Sequence, residues 1–523
     1  MASKLLMVDM PELMEKILKN LNNEIDSLYS CALVSRYWCK IAIPILWQDP
    51  FSFDEHYSLI PKYFSSLSED TLKECGLNEK ISKTLFDYAK FLKVLDLDCF
   101  ERMVKQWNCI EHFEYTYIEY IEYIEQDDWK KCPSTNLLVN SLLKLFIESG
   151  ATLHKLVVSF HDSIMIMPEK IFSLLGRNES FFSQLQHLSL DEISLVKIES
   201  AIAFLRALPK YTTKISALEF NGFEFTFTEA EYDQLQLIHA LIYIIKSQKQ
   251  LRLFSIVIEE TLAKHYGIIS ALESQKNSLQ EIIVENCDYS EEFEVLKNCK
   301  NLETLRFRTY CDYKIPLKML DYNKINTLDI VDDIIETREM ALILEKTGIS
   351  LQRLKVESRS EQIQEDSLLL NALKSFCPNI TYLYIFNIGF STQLIEVIGN
   401  LQKLQFLTLM CNVDDVQEEE MKIRVMQFAK ILPLTLQYLD LVDKWLETYI
   451  DIFLNHCNSP LRKLIFEKLE NEKNTKALIE FCVRKKTLNY VGLDDPLMLD
   501  NNIRKEMEAY VELVPYEDIT IDC

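Results

Sequence analysis

Apolar residues recur in one short pattern over much of the chain. The stretches "LQEIIVENC" (279–287), "LETLRFRTY" (302–310), "INTLDIVDD" (325–333) and "LQRLKVESR" (351–359) share the form L-x-x-L-x-L, with Ile, Val or Phe sometimes in place of Leu. Further copies are "ITYLYIFNI" (380–388), "LQFLTLMCN" (404–412), "LQYLDLVDK" (436–444), "LRKLIFEKL" (461–469) and "LNYVGLDDP" (488–496). Looser ones come earlier, as "LHKLVVSFH" (153–161), "LQHLSLDEI" (185–193), "ISALEFNGF" (215–223) and "LRLFSIVIE" (251–259). Successive copies start 23–36 residues apart. Alternation at the fourth and sixth positions predicts a short strand with one buried side, and the first Leu turns into the same core. The ninth position, Cys287 and Asn412 in the best copies, is expected to turn inward and satisfy backbone groups there. Amphipathic helices are predicted between strands over 336–348, 366–378, 392–403 and 447–457.

One strand and one helix cannot bury their own apolar faces, but a stack of such pairs can. About a dozen copies at a short period favour a solenoid over a doubly wound sheet. The pattern resembles the leucine-rich-repeat family over roughly two thirds of the chain. The resemblance implies an α/β fold with parallel strands on the concave face and helices on the convex face.

The N-terminus has a different character. "VDMPELMEKILKNLNN" (8–23) carries Leu13, Met14, Ile17, Leu18 and Leu21 at helical spacing, with Pro11 suited to a first turn. "IDSLYSCALVSRYWCKIA" (25–42) gives a second apolar pattern, and Pro44 is read as interrupting it before "ILW". Some 45 residues thus make a helical unit with more apolar surface than it can cover, and domains that small usually have a partner. Met10, Pro11, Leu13, Met14, Ile17, Leu28, Cys31, Val34, Ser35, Arg36, Trp38, Leu46 and Trp47 stand in the order and spacing of an F-box, with Met10 in place of the usual Leu. The resemblance covers about a tenth of the chain. It implies a substrate-recognition subunit of a Skp–cullin–F-box ubiquitin ligase, a role without chemistry of its own. The F-box would bind the Skp-type adaptor, and through it the cullin, while the repeats hold a protein substrate. Pro11, Leu13, Ile17, Leu28, Val34 and Trp38 are the expected adaptor contacts. The rival readings are a repeat scaffold unconnected to a ligase, with the helical unit as its cap, and an enzyme using an exposed Cys.

Composition narrows the field. A formal net charge of −24 repels a phosphate backbone, so nucleic acid is not an expected partner. No apolar run is long enough for a membrane span, and the first residues lack the features of a signal peptide. An intracellular location, cytoplasmic or nuclear, follows as an expectation. The 14 cysteines are scattered without a Cys-x-x-Cys pair, which suits reduced thiols and points to no metal. The nine glycines form no phosphate loop, and no cofactor, metalloprotease or hydrolase motif occurs. His187 sits among leucines as a structural histidine, and the acidic runs at 125–128 and 417–421 look like solvated faces.

Three regions are expected: an F-box over 1–50, a linker with irregular first repeats over 51–150, and repeats with a C-terminal cap over 151–523. Within 51–150, "KFLKVLDLDCF" (90–100) suits a first strand, and "FEYTYIEYIEYIEQDDW" (113–129) reads as an irregular early repeat with an acidic insertion. Residues between the core leucines face away from the core. Tyr382, Tyr384, Phe406, Met410 and Tyr438 then gather into an aromatic patch, the kind of surface that anchors a protein partner. Arg306 and Arg308 add a basic flank. The competing reading has "YVELVPYEDITIDC" (510–523) or a long loop folded over these rings.

Overall fold

A computed structural model describes residues 11–21, 24–52, 57–77, 83–108, 133–160, 180–194, 197–223, 231–258, 267–287, 290–308, 324–413, 416–441, 444–466, 469, 472–494, 499 and 501–521. The acidic run at 113–129 lies outside them. The chain forms two compact units, Met1–Ser255 and Ile256–Cys523.

The first unit holds the N-terminal helices and strands β1 (Val94–Asp96), β2 (Lys155–Phe160), β3 (His187–Ile193) and β4 (Ala217–Phe223). These strands pair in chain order, all parallel. Strand β5 (Leu253–Ile258) crosses the division. The second unit carries β6 (Glu281–Glu285), β7 (Thr304–Arg308), β8 (Thr327–Asp332), β9 (Arg353–Ser358), β10 (Tyr382–Gly389), β11 (Phe406–Asn412), β12 (Tyr438–Leu441), β13 (Lys463–Phe466), β14 (Tyr490–Leu493) and β15 (Glu512–Pro515). They too are parallel and in chain order. Parallel neighbours need a crossover, here supplied by helices such as Thr337–Thr347, Asp366–Phe376, Thr392–Asn400 and Glu418–Ile431. The result is a leucine-rich-repeat solenoid.

The predicted core positions are buried in every copy of the second unit. The first-position residues Leu279, Leu302, Ile325, Leu351, Ile380, Leu404, Leu436, Leu461 and Leu488 all lie inside, as do the fourth and sixth residues of each motif. The backbone locks this register. At the second position of the motifs from Gln280 to Arg462 one carbonyl accepts two N–H groups from the next repeat: Gln352 and Arg353 donate to Asn326 O, and Gln437 and Tyr438 to Gln405 O. Both lone pairs are used, so no buried carbonyl is orphaned at the start of a strand.

The inward turn at the end of the strand begins one residue earlier than expected. Glu192, Gly222, Asn286 and Asn387, each the eighth residue of its motif, have left-handed backbone with φ between 44° and 68°. In β3 and β10 the register skips this residue, making a bulge. The bulge rotates the ninth residue into the core, where Ile193, Cys287 and Ile388 are buried. Cys287 donates its thiol to Glu285 O at 3.4 Å. Asn412 does not follow: β11 has no such bulge, Cys411 pairs with Ile388 and takes the inward place, and Asn412 is only half-buried.

At the N-terminus, α1 (Pro11–Lys19), α2 (Ile25–Val34) and α3 (Arg36–Leu46) form a three-helix unit. The second apolar pattern is two helices rather than one, broken at Ser35, whose extended backbone caps α3 as its hydroxyl accepts from Trp38 N. Pro44 does not interrupt α3; it lies within its last turn. Leu18, Leu28, Ala42 and Ile45 form a core distinct from that of the repeats. The unit also caps the first strand. Gln48 O accepts from Lys93 N and Val94 N, the same double acceptance that the repeats use. Trp47 stacks on Tyr88 at 4.0 Å and meets Tyr63 edge-on at 5.4 Å. The aromatic run at 31–47 therefore both anchors the solenoid and leaves a face to solvent.

Candidate functional site

Two surfaces stand out. The first is on the helical unit. Val34 is 61% exposed and Ile17 47%. Beside them in the same unit are Tyr29, Leu33 and Tyr37, which the sequence reading passed over, and Leu33 is 71% exposed. Leu28 departs from expectation. It is buried in the unit's own core, because α2 turns it toward Leu18 and Ala42 while Leu33 and Val34 point outward. Trp38 is half-buried and packs against that core. The side chains of Pro11 and Leu13 lie outside the described residues.

The second surface is the strand face of the second unit, whose rows follow from the register. One row runs Thr304, Thr327, Arg353, Tyr382, Phe406, Tyr438, Lys463, Tyr490, Glu512. The next runs Arg306, Asp329, Lys355, Tyr384, Thr408, Asp440, Ile465, Gly492, Val514. The aromatic residues are gathered as expected, but two are not exposed. Tyr382 and Tyr438 are each 1% exposed. Segment 516–521, just after β15, lies over them. Ile519 is buried against Tyr438 and Ile465, and Ile521 packs on the same cluster. Tyr382 Oη donates to Ile521 O at 3.1 Å, and Ile521 N donates to Tyr438 Oη at 3.3 Å. Phe406, Tyr384, Phe386 and Met410 remain half-buried.

The basic flank is compensated. Arg308 Nη2 sits 2.8 Å from Asp329 Oδ2, and Arg306 Nε 3.0 Å from Glu281 Oε1. Asp329 is fully buried, so Arg308 serves to neutralise it rather than to offer open positive charge. Lys355 lies over the Tyr384 ring at 4.4 Å and the Arg353 guanidinium over Tyr382 at 4.4 Å, both cation–π contacts.

Asp440, beneath Tyr438, has unusual electrostatics. Burial pushes its carboxyl up to about 7, against the opposing hydrogen bond from Tyr438 Oη at 3.2 Å. Its Oδ1 has no hydrogen-bond partner among the described residues. The same hydrogen bond aims the tyrosine proton at the carboxylate and leaves the phenolic oxygen to accept Ile521 N–H.

Burial pushes the thiols of Cys299 and Cys377 up to about 12 and those of Cys457 and Cys482 to about 11, which makes them poor nucleophiles. His187 Nε2 pairs with Glu219 Oε2 at 3.1 Å. Among the described residues no cluster of three His, Cys, Asp or Glu could hold a metal, and no helix is long and apolar enough to cross a membrane.

Comparison with known proteins adds the following. The F-box-like family model matches residues 11–52, so an F-box-like domain precedes the repeats. No curated protein sequence matches the chain. Among solved structures, the yeast Rad7–Elc1 complex aligns at 13% identity and a TM-score of 0.37, covering 81% of this chain and 94% of that one. The leucine-rich-repeat protein LegL7 of Legionella pneumophila aligns at 12% identity and 0.34, covering 65% and 93%. An internalin (inlF) of Listeria monocytogenes aligns at 14% and 0.30, covering 57% and 84%. The repeat architecture is established by the strand order and register of this chain itself.

Proposed function

We propose that this chain, an F-box-like domain followed by a leucine-rich-repeat solenoid, is the substrate-recognition subunit of a cullin-based ubiquitin ligase. The F-box-like domain binds a Skp-type adaptor and, through it, the cullin. The strand face of the second unit binds a protein substrate. The chain itself does no chemistry; it holds the substrate where a ubiquitin thioester can reach a lysine, so the rate gain comes from proximity. Such a subunit works inside the cell, in cytoplasm or nucleus.

The observation that carries this reading is the division of labour in the helical unit. Leu18, Leu28, Ala42 and Ile45 close its own core, yet Ile17, Tyr29, Leu33, Val34 and Tyr37 stay exposed. A small domain that already has a core and still shows an apolar, aromatic face is built to dock. Full burial of a Leu or Val side chain contributes about 1.5–3 kcal/mol. Leu33→Asp with Val34→Asp should therefore weaken capture of a purified Skp-type adaptor by about 100-fold or more, with circular dichroism unchanged. Undiminished capture by a folded double variant refutes the assignment of this face. Failure of the wild-type chain to bind the adaptor at all favours the scaffold reading.

A further inference from the structure

Segment 516–521 is held by a mode that would hold other peptides as well. Its backbone at Ile521 is gripped from both sides, with the carbonyl accepting from Tyr382 Oη and the N–H donating to Tyr438 Oη. These contacts read the main chain and not the side chain. The two side chains that do engage, Ile519 and Ile521, are two residues apart and enter one apolar cluster of Tyr438, Ile465, Phe406, Tyr490 and Val514. Gly492 makes room for them. A Cβ there would come within 3.0 Å of Ile519 Cδ1 and 3.1 Å of Tyr516 Cα, yet Gly492 has no positive φ that would demand glycine for its own backbone. The need for glycine comes from the segment on top together with Ile465 on the neighbouring strand, whose Cγ1 would also lie 3.0 Å from a Cβ.

The start of the segment is less firmly held than its end. The turn Tyr516–Asp518 has no buried residue, and Tyr516 is 38% exposed. Beyond the segment, Tyr384 and Phe386 stack at 6.5 Å between centroids and remain half-buried, so the apolar surface extends past what the segment covers. An outward strand face in water has no reason to carry such residues unless something lies on it.

We propose that residues 516–521 occupy, as a displaceable internal ligand, the seat of the substrate, and that the substrate is a peptide segment that enters as a short turn, as Tyr516–Thr520 does, with aliphatic side chains two residues apart. The incoming segment takes the places of Ile519 and Ile521, exchanges hydrogen bonds with Tyr382 and Tyr438, and reaches on over Phe406, Tyr384 and Phe386. This rests on the reading that the strand face holds the substrate.

The test uses a chain ending at Pro515, which keeps β15, and a fluorescein-labelled peptide of residues 514–523 as probe, with reductant present. The shortened chain should bind the peptide with a Kd on the order of 10–100 μM, and the full chain at least about tenfold more weakly. A peptide with Ile519→Asp and Ile521→Asp should not bind, and Gly492→Ala in the shortened chain should lower affinity. Absence of binding by a folded shortened chain overturns the proposal. An unfolded shortened chain overturns it too, since a segment the fold requires is not displaceable. Hydrogen exchange on the full chain is an independent readout: the Ile521 amide should exchange at least about 100-fold faster than the β12 amides, and equal protection overturns the proposal. Adaptor capture plays no part in these measurements, so the ligase reading and this one fail separately.

Discussion

Asp440→Asn should raise the stability of the second unit at alkaline pH and flatten its pH dependence. The wild-type carboxyl sits at about 7 in the fold against an ordinary 3.8, because burial disfavours its charge. A carboxyl whose pKa rises on folding binds its proton more tightly in the native state. Its contribution is most favourable below pH 3.8, is lost as pH rises through about 7, and leaves a standing penalty above that. At about 1.4 kcal/mol per pH unit the shift corresponds to about 4 kcal/mol, an upper bound once local relaxation is allowed. Asparagine keeps the shape, still accepts from Tyr438, and carries no charge to desolvate. The variant should thus gain about 2–4 kcal/mol over wild type at pH 8 and at most about 1 kcal/mol at pH 4.5. Trp445 is the only tryptophan after residue 255, and its indole donates to Leu409 O at 3.1 Å, one strand away. The other four tryptophans lie before residue 255, so the clean comparison is urea unfolding from pH 4.5 to 8.5 in a background with those four replaced by Phe. Parallel stability profiles for the two proteins would refute the reasoning, as would a wild type that gains on the variant as pH rises.

Two further outcomes are expected. Leu28→Ala should destabilise the F-box-like domain by about 2–5 kcal/mol, read as faster hydrogen exchange of α2 and α3 amides, because Leu28 is in the domain's core. Arg308→Met should lower the urea midpoint of the second unit by the equivalent of about 3 kcal/mol, because it strands the buried Asp329 carboxylate, and Asp329→Asn should restore part of the loss.

The strands were legible because their cause is local. Four to six consecutive residues decide which side of a strand is apolar, and L-x-x-L-x-L states this directly. β15 escaped because "ELVP" carries few apolar residues and a proline, and it was read only as part of a covering segment. The contacts of Ile519 and Ile521 show that the C-terminal segment covers Tyr382 and Tyr438. The ion pairs Arg306–Glu281 and Arg308–Asp329 join residues 21–25 apart in the chain, and they become neighbours only once the register is known. Leu28 shows another limit. In a unit with apolar residues on several faces, helical spacing identifies the faces but not which one looks inward. Ser35 was readable in hindsight, a serine just before a helix start, but the continuous apolar run around it hid the break. The left-handed eighth residue is a packing effect: Glu192 takes it as Gly222 does, although glycine alone would have signalled it.

Strand β15 has a consequence for assembly. It is the outermost strand of the second unit among the described residues, pairing only with β14. An open strand edge is a template on which another molecule can polymerise. β14, "YVGL", is apolar and largely buried, and bare it would be such a template. β15 covers it with only four residues, an exposed Glu512 at one end and at the other Pro515, which has no N–H to offer. At this edge the repeat array therefore presents a short strand with few groups on which another chain could pair.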